Sequence, residues 1–199
     1  MPAEAQALSI IEYPHPVLRH KCKPIRRVDG DLRAVVREMF TLMYEAKGIG
    51  LAASQVGLPF RLFVSNLSGE ADKGEELVFI NPVISQPKGN EEAEEGCLSL
   101  PGLYAPIRRP ARVHISAYSL DGQEIAADLE GLAARCVQHE TDHLDGVLFI
   151  DRLAEAAALE IREKLYDLED RFEARVGRGE MPSKEQSDRR VAEFEEKYC

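Results

Sequence analysis

Gln138-His139-Glu140-Thr141-Asp142-His143 is the stretch on which the reading of this chain turns. It carries the pattern His-Glu-x-x-His within a helical run of apolar residues. Residues four apart on an α-helix lie one above the other, so the imidazoles of His139 and His143 can converge on a single ion. Glu140 is rotated by about 100° from His139, which keeps its carboxylate off the ion but within reach of an activated water. Two nitrogen ligands and an offset base are the parts that metal-assisted hydrolysis requires, the ion acidifying water and the carboxylate managing its proton.

Short His-Glu-x-x-His matches also arise by chance on amphipathic helices, so a third ligand is the discriminating feature. Zinc peptidases with this motif take theirs from a Glu or His farther along the chain. No histidine follows His143, and Glu155, Glu160 and Glu163 fall in an ordinary charged helix. Cys136 shares the face of His139 and His143, but about 10 Å of helix rise separates it from His143. With Zn–S near 2.3 Å and Zn–N near 2.1 Å, its short side chain would have to stretch almost in line with the histidine, losing tetrahedral geometry. The ligand should come from another segment, and Cys97 in Glu95-Gly96-Cys97-Leu98-Ser99 is the obvious source.

At this point the chain resembles the bacterial type of peptide deformylase. Three stretches match that family in order: Gly48-Ile49-Gly50-Leu51-Ala52-Ala53-Ser54-Gln55-Val56-Gly57, Glu95 to Ser99, and Gln138 to His143. The likeness extends from about Ser9 to about Leu168. It implies an α+β fold, with antiparallel sheets around a central metal-binding helix and a C-terminal helix. It also implies a metal-dependent amidase that removes the formyl group from formylmethionine at the start of newly made polypeptides. Cys97, His139 and His143 match the metal ligands, and Glu140 the general base and acid. Gln55, with the backbone N–H of Leu98, would hold the developing oxyanion. Gly48, Ile49 and Gly50 would run beside the bound peptide, and Ile49 and Cys136 would line the methionine pocket. The expected cofactor is one divalent ion, Fe²⁺ in the cell, with Zn, Ni or Co able to substitute. Ser54 stands where the family commonly has Thr, and the hydroxyl is kept.

Composition agrees. A chain of 199 residues with 44% hydrophobic content can bury one good core. No apolar run approaches the roughly 20 residues that span a bilayer, and residues 1 to 9 lack the pattern of a secretory signal. A cytoplasmic protein without membrane partners is the expectation. Four cysteines do not make a disulfide framework, and one near a His pair is better read as a ligand in a reducing compartment. A formal charge of −10 argues against sequence-independent binding of nucleic acid. The pairs Arg26-Arg27, Arg108-Arg109 and Arg189-Arg190 read as solvated surface.

Along the chain, Tyr13-Pro14-His15-Pro16 and Pro24 predict an irregular N-terminal wrap, with His15 and His20 at the surface and Cys22 an ordinary thiol. Leu32, Val35, Val36, Met39, Leu42 and Met43 predict a helix over 31–47, capped by Asp29 or Asp31 and stopped by Gly48. Strands are predicted at 61–66, 77–84, 111–119 and 124–129, with Asp121-Gly122 as a hairpin turn. The acidic run 90–95 reads as a solvated loop in which only Glu95 is suspect. A second amphipathic helix starts near Leu153. The catalytic domain is taken as 1–176, and 177–199 as a charged extension that is either disordered or an exposed helix. Some family members use a basic C-terminal helix on the ribosome; the mixed charge here gives a transient ribosome contact little support. The competing readings are a zinc endopeptidase, a closed four-ligand site including Cys136, and a family member without activity.

Overall fold

The computed structural model describes residues 8–181 and 184–199. The chain opens with a wrap held by a 3₁₀ turn at Pro16–Arg19. Helix α1, Gly30–Glu45, follows, capped by Asp29, whose side chain accepts from the Leu32 N–H. Leu32, Val36, Met39 and Met43 are buried as their spacing predicts, Phe40 joins them, and Val35 and Leu42 of the expected stripe are half-buried. The helix ends two residues earlier than expected. Lys47, at φ 57°, takes the left-handed position, and Gly48 donates back to Met43 O at 2.8 Å. This terminates the helix as a Schellman turn does, with Gly48 one place beyond the left-handed residue.

Strands β1 (Gly50–Ala52), β2 (Leu62–Ser65) and β3 (Leu77–Lys88) come next, with a 3₁₀ turn at Ala53–Val56 between the first two. Then follow β4 (Glu91–Cys97), β5 (Leu100–Arg109), β6 (Arg112–Tyr118) and β7 (Glu124–Glu130). Strands β1, β2, β3, β6 and β7 form one antiparallel sheet in that order, and β4 and β5 a separate antiparallel hairpin. β3 runs past the predicted Ile84, and the acidic run 90–95 is β4 rather than a solvated loop. The reason is parity. Along β5 burial alternates through Leu103, Ala105, Ile107 and Arg109, and on β4 Glu95 is the buried position. Arg109 is therefore an inward residue and not the solvated surface expected of it.

Helix α2, Gly131–Leu144, lies between these layers and is buried at every position from Cys136 to Leu144. On one side Ala134, Val137 and Leu144 pack with Phe63, Phe79, Val113, Ile115 and Ala117 of the large sheet. The hairpin side is packed through Leu100, Leu103, Ala105 and Ile107 against Leu18, Leu148, Phe149 and helix α3 (Glu155–Gly177). α3 is buried at Ala157, Ile161 and Leu168 and more exposed toward Val176. His15 departs from expectation. It is buried, meets Phe172 edge to face at 5.9 Å, and accepts the Val17 N–H through Nδ1.

Helix α4, Lys184–Tyr198, occupies the tail. It folds back on the body rather than standing exposed. Tyr198 is buried against Phe60 at 5.6 Å, its carbonyl accepts the Arg26 N–H at 2.8 Å, and its hydroxyl donates to Asp29 at 3.2 Å. Glu195 accepts from Lys23 and meets His20 Nε2 at 3.0 Å, so α4 clips the wrap onto α1 and β2.

Candidate active site

The buried helix α2 delivers His139 and His143 from the protein's centre, and the end of β4 brings Cys97 to them. Cys97 Sγ lies 3.2 Å from His143 Nε2, which lies 3.2 Å from His139 Nε2. All three donor atoms fall within 4.8 Å of one another. The donor set fits a divalent ion. Ligands at 2.1–2.3 Å in tetrahedral array would stand roughly 3.5 Å apart, close to the spacing found. The His139 ring is also fixed with its Nε2 toward the cluster, because Nδ1 is held by Glu95 Oε2 at 3.0 Å. Cys136 is not among the three. Its thiol faces Ser65 Oγ at 3.4 Å, and burial, reinforced by the nearby Glu140 charge, pushes it up to about 12. Its place on Ser65 and outside the three-donor cluster argues against a closed four-ligand site.

Burial disfavours charge on either imidazole. At His139 the hydrogen bonds with Cys97 and Glu95 outweigh burial and raise the pKa to about 10. At His143 burial and the neighbouring His139 charge both hold it well below the usual histidine range. Burial pushes the Glu140 carboxyl up to about 7, against the pull of His139 and Arg109. Its Oε2 has no hydrogen-bond partner among the described residues. Room for this carboxylate comes from Gly50, where a Cβ would stand 2.5 Å from Glu140 Oε1 and 3.0 Å from Cys136 Sγ.

Gln55 reaches the cluster from the 3₁₀ turn after β1. Its Oε1 accepts from Ala52 N–H at 2.8 Å, which turns Nε2 toward Ser99 Oγ at 3.1 Å and Cys97 Sγ at 3.5 Å. Ser54, beside it, donates to the carbonyl of His143 at 3.0 Å. These groups open on a cleft of about 520 Å³. Gly48, Ile49, Gly50, Gln55, Cys97, Leu98, Cys136, His139 and Glu140 all line it, with His143 behind them. Leu132, one turn before Cys136 on α2, stands half exposed at its rim. A larger cavity of about 710 Å³, between the Pro16–Arg19 turn and the α3–α4 junction, holds none of the three donors.

Sequence reading missed the ion network under the cluster. Arg109 Nε donates to Glu95 Oε1 at 2.6 Å and its Nη1 to Asp142 Oδ2 at 2.7 Å, while Asp142 also takes Arg152 Nε at 2.6 Å. Burial opposes ionisation of Glu95, but hydrogen bonds from His139 and Arg109 more than offset it and hold its pKa at about 2. The inward parity of Ala93, Glu95 and Cys97 was the available signal.

A cleft lined by a thiol, an imidazole with a second behind it, and a carboxylate with one oxygen unpartnered among the described residues is the equipment of a hydrolase acting on a carbonyl group. A sequence model described as polypeptide deformylase matches residues 7–158. The peptide deformylase of Rhodopirellula baltica is 47% identical over 191 residues, spanning 96% of this chain and 95% of that protein. A plant peptide deformylase crystal structure superposes with a TM-score of 0.84 at 43% identity, covering 92% of this chain and 98% of that one. That of Plasmodium falciparum does so at 0.80 and 41%, covering 83% and 98%. The chain belongs to the peptide deformylase family, metal-dependent hydrolases that remove formyl groups.

Proposed function

We propose that this chain removes the formyl group from N-formylmethionine at the start of newly made polypeptides, releasing formate and a free amino terminus. The observation that carries the reading is the Cys97–His139–His143 cluster beside the partnerless carboxylate oxygen of Glu140. Cys97, His139 and His143 would hold a divalent ion, which when bound would supply Lewis acidity toward water and the formyl oxygen; Fe²⁺ is expected in the cell, with Zn, Ni or Co able to replace it.

Glu140 takes the proton of the attacking water and can return it, since burial raises the affinity of its carboxyl for a proton. As the oxygen adds to the formyl carbon, the amide of Gln55 and the backbone N–H of Leu98 take the charge growing on the carbonyl oxygen. Glu140 then gives its proton to the amine nitrogen as the C–N bond breaks. Gly48, Ile49 and Gly50 accompany the peptide, Ile49 and Cys136 wall the methionine side chain, and the cramped space beside the cluster favours formyl over larger acyl groups. The reaction belongs in the cytoplasm, where Cys97 and the other three cysteines, all free, stay reduced. No helix among the described residues is long and apolar enough to cross a membrane. A formal charge of −10 gives no general affinity for RNA, which leaves at most a transient contact with the ribosome.

The test is formate release from an N-formyl-Met peptide by the metal-loaded chain. Glu140→Ala should lower kcat by about 10²–10⁴ with the ion retained. Normal turnover by that variant would remove Glu140 from its role, and cleavage of unformylated internal peptide bonds would favour an endopeptidase.

A further inference from the structure

The cleft wall at Gly48 and Ile49 is held from behind by a loop that does not enter the cleft. Gly50, Leu51 and Ala52 are fixed by the β1–β2 ladder, Gly50 pairing with Ser65. Gly48 and Ile49 precede that ladder and need other supports. The Ile49 carbonyl accepts the Asn66 N–H at 3.0 Å and the Ser65 hydroxyl at 2.9 Å, and the Gly48 N–H donates to Met43 O at the end of α1. Gly69 rests on both residues, since a Cβ there would lie 3.6 Å from Ile49 Cγ2 and 3.7 Å from Gly48 O. None of the described residues 66–76 lines the cleft itself. One buried amide shapes this loop. Asn66 Oδ1 accepts from the Ser68 N–H at 3.0 Å and its hydroxyl at 2.8 Å, while Nδ2 donates to Lys73 O at 2.8 Å, Glu70 O at 3.2 Å and Tyr44 Oη at 2.9 Å. Tyr44 stands on α1 and donates onward to Glu76 Oε1 at 2.9 Å. A single side chain thus folds the loop on itself and ties it to α1, with Gly48 bonded to the helix and Ile49 to the loop. Removing the centre of such a buried network costs more than one bond.

We propose, resting on the deformylase reading above, that Asn66 is a positioning residue for the peptide: through its loop it sets where Gly48 and Ile49 stand, and so how the formyl-Met chain fits the cleft. Glu140 and the Cys97–His139–His143 cluster are carried by α2 and the end of β4, so the effect falls on substrate binding and not on the chemical step. The coupling is reciprocal. A peptide seated against Gly48 and Ile49 must in turn steady the loop behind them.

Steady-state formate release by Asn66→Ala, in the full metal-loaded chain, tests this. KM for the peptide formyl-Met-Ala-Ser should rise about tenfold, with kcat within about threefold of the parent and the bound metal unchanged. A parental KM in the folded variant, or a loss carried by kcat, would overturn the proposal. Should that variant not fold, hydrogen exchange in the metal-loaded parent decides. Met-Ala-Ser, at a concentration that fully inhibits turnover, should slow exchange of the Asn66 and Gly69 amides by about threefold or more. Unchanged exchange at both would refute the coupling. A parent that releases no formate from the peptide sinks the proposed function and this inference with it. Formate release by the parent, with KM indifferent to Asn66, sinks the inference alone.

Discussion

Adding one methyl group at residue 50 should disable the reaction while leaving the proposed metal ligands in place. A Cβ on Gly50 would stand 2.5 Å from Glu140 Oε1, 2.8 Å from its Cδ and 3.0 Å from Cys136 Sγ. To regain ordinary van der Waals contact the carboxylate must retreat by about 1 Å. A misplacement of about 1 Å in a reacting group costs on the order of 10²-fold in rate, or about 2.7 kcal/mol of transition-state stabilisation. Gly50→Ala should therefore lower kcat/KM by about 10², mostly through kcat, with overpacking costing about 1–3 kcal/mol of stability. Gly48→Ala is the matched control. Its Cβ would approach within 2.7 Å of Leu98 Cδ1, the end of a flexible side chain that can turn away. Its loss should be under about tenfold and fall mainly on KM, since residue 48 lines the cleft. The assay is formate release against formyl-Met peptide concentration, with bound metal and the thermal midpoint measured on the same samples. A folded, metal-replete Gly50→Ala variant within threefold of the parent would refute this account of how Glu140 is placed.

Two further outcomes concern the tail and the wrap. Tyr198→Ala removes a buried ring packed on Phe60 and should lower the unfolding free energy by about 3 kcal/mol, read as a shift in urea midpoint, with activity per folded molecule unchanged. Asp29→Ala, which deletes the α1 cap, should cost about 1 kcal/mol at pH 7. The cap's Leu32 N–H bond, with Arg27, holds the Asp29 pKa at about 2, below the unfolded carboxylate value. Its stabilisation is therefore complete above about pH 4 and lost as pH falls toward 2. Parent and variant should converge in stability over that window, and a gap that persists at pH 2 would contradict the assignment.

The elements legible in the sequence are those whose signal is local. α1 and α2 follow from apolar residues at helical spacing, and the hairpin β6–β7 from alternation around Asp121-Gly122. β4 was hidden because four glutamates among seven residues read as solvated loop, although the alternation of Ala93, Glu95 and Cys97 carries a strand period. α4 was left open because Val191, Phe194 and Tyr198 are thinly spread among charges, and what orders them is the distant surface of Phe60, Arg26 and Asp29. Nine of the ten expected site residues, eight from the three motifs and Cys136 just before the third, line one cleft, because each motif faces it. The supporting ions escaped for the opposite reason. Arg109 reaches Glu95 across the hairpin and Asp142 on α2, pairings fixed by register and packing and not by any neighbour in sequence.

X-ray absorption at the metal edge of the loaded chain addresses the coordination directly. The expected spectrum contains one sulfur at about 2.3 Å, two imidazole nitrogens near 2.1 Å and one light donor left over for solvent. Two sulfurs in the shell, or no sulfur at all, would contradict it.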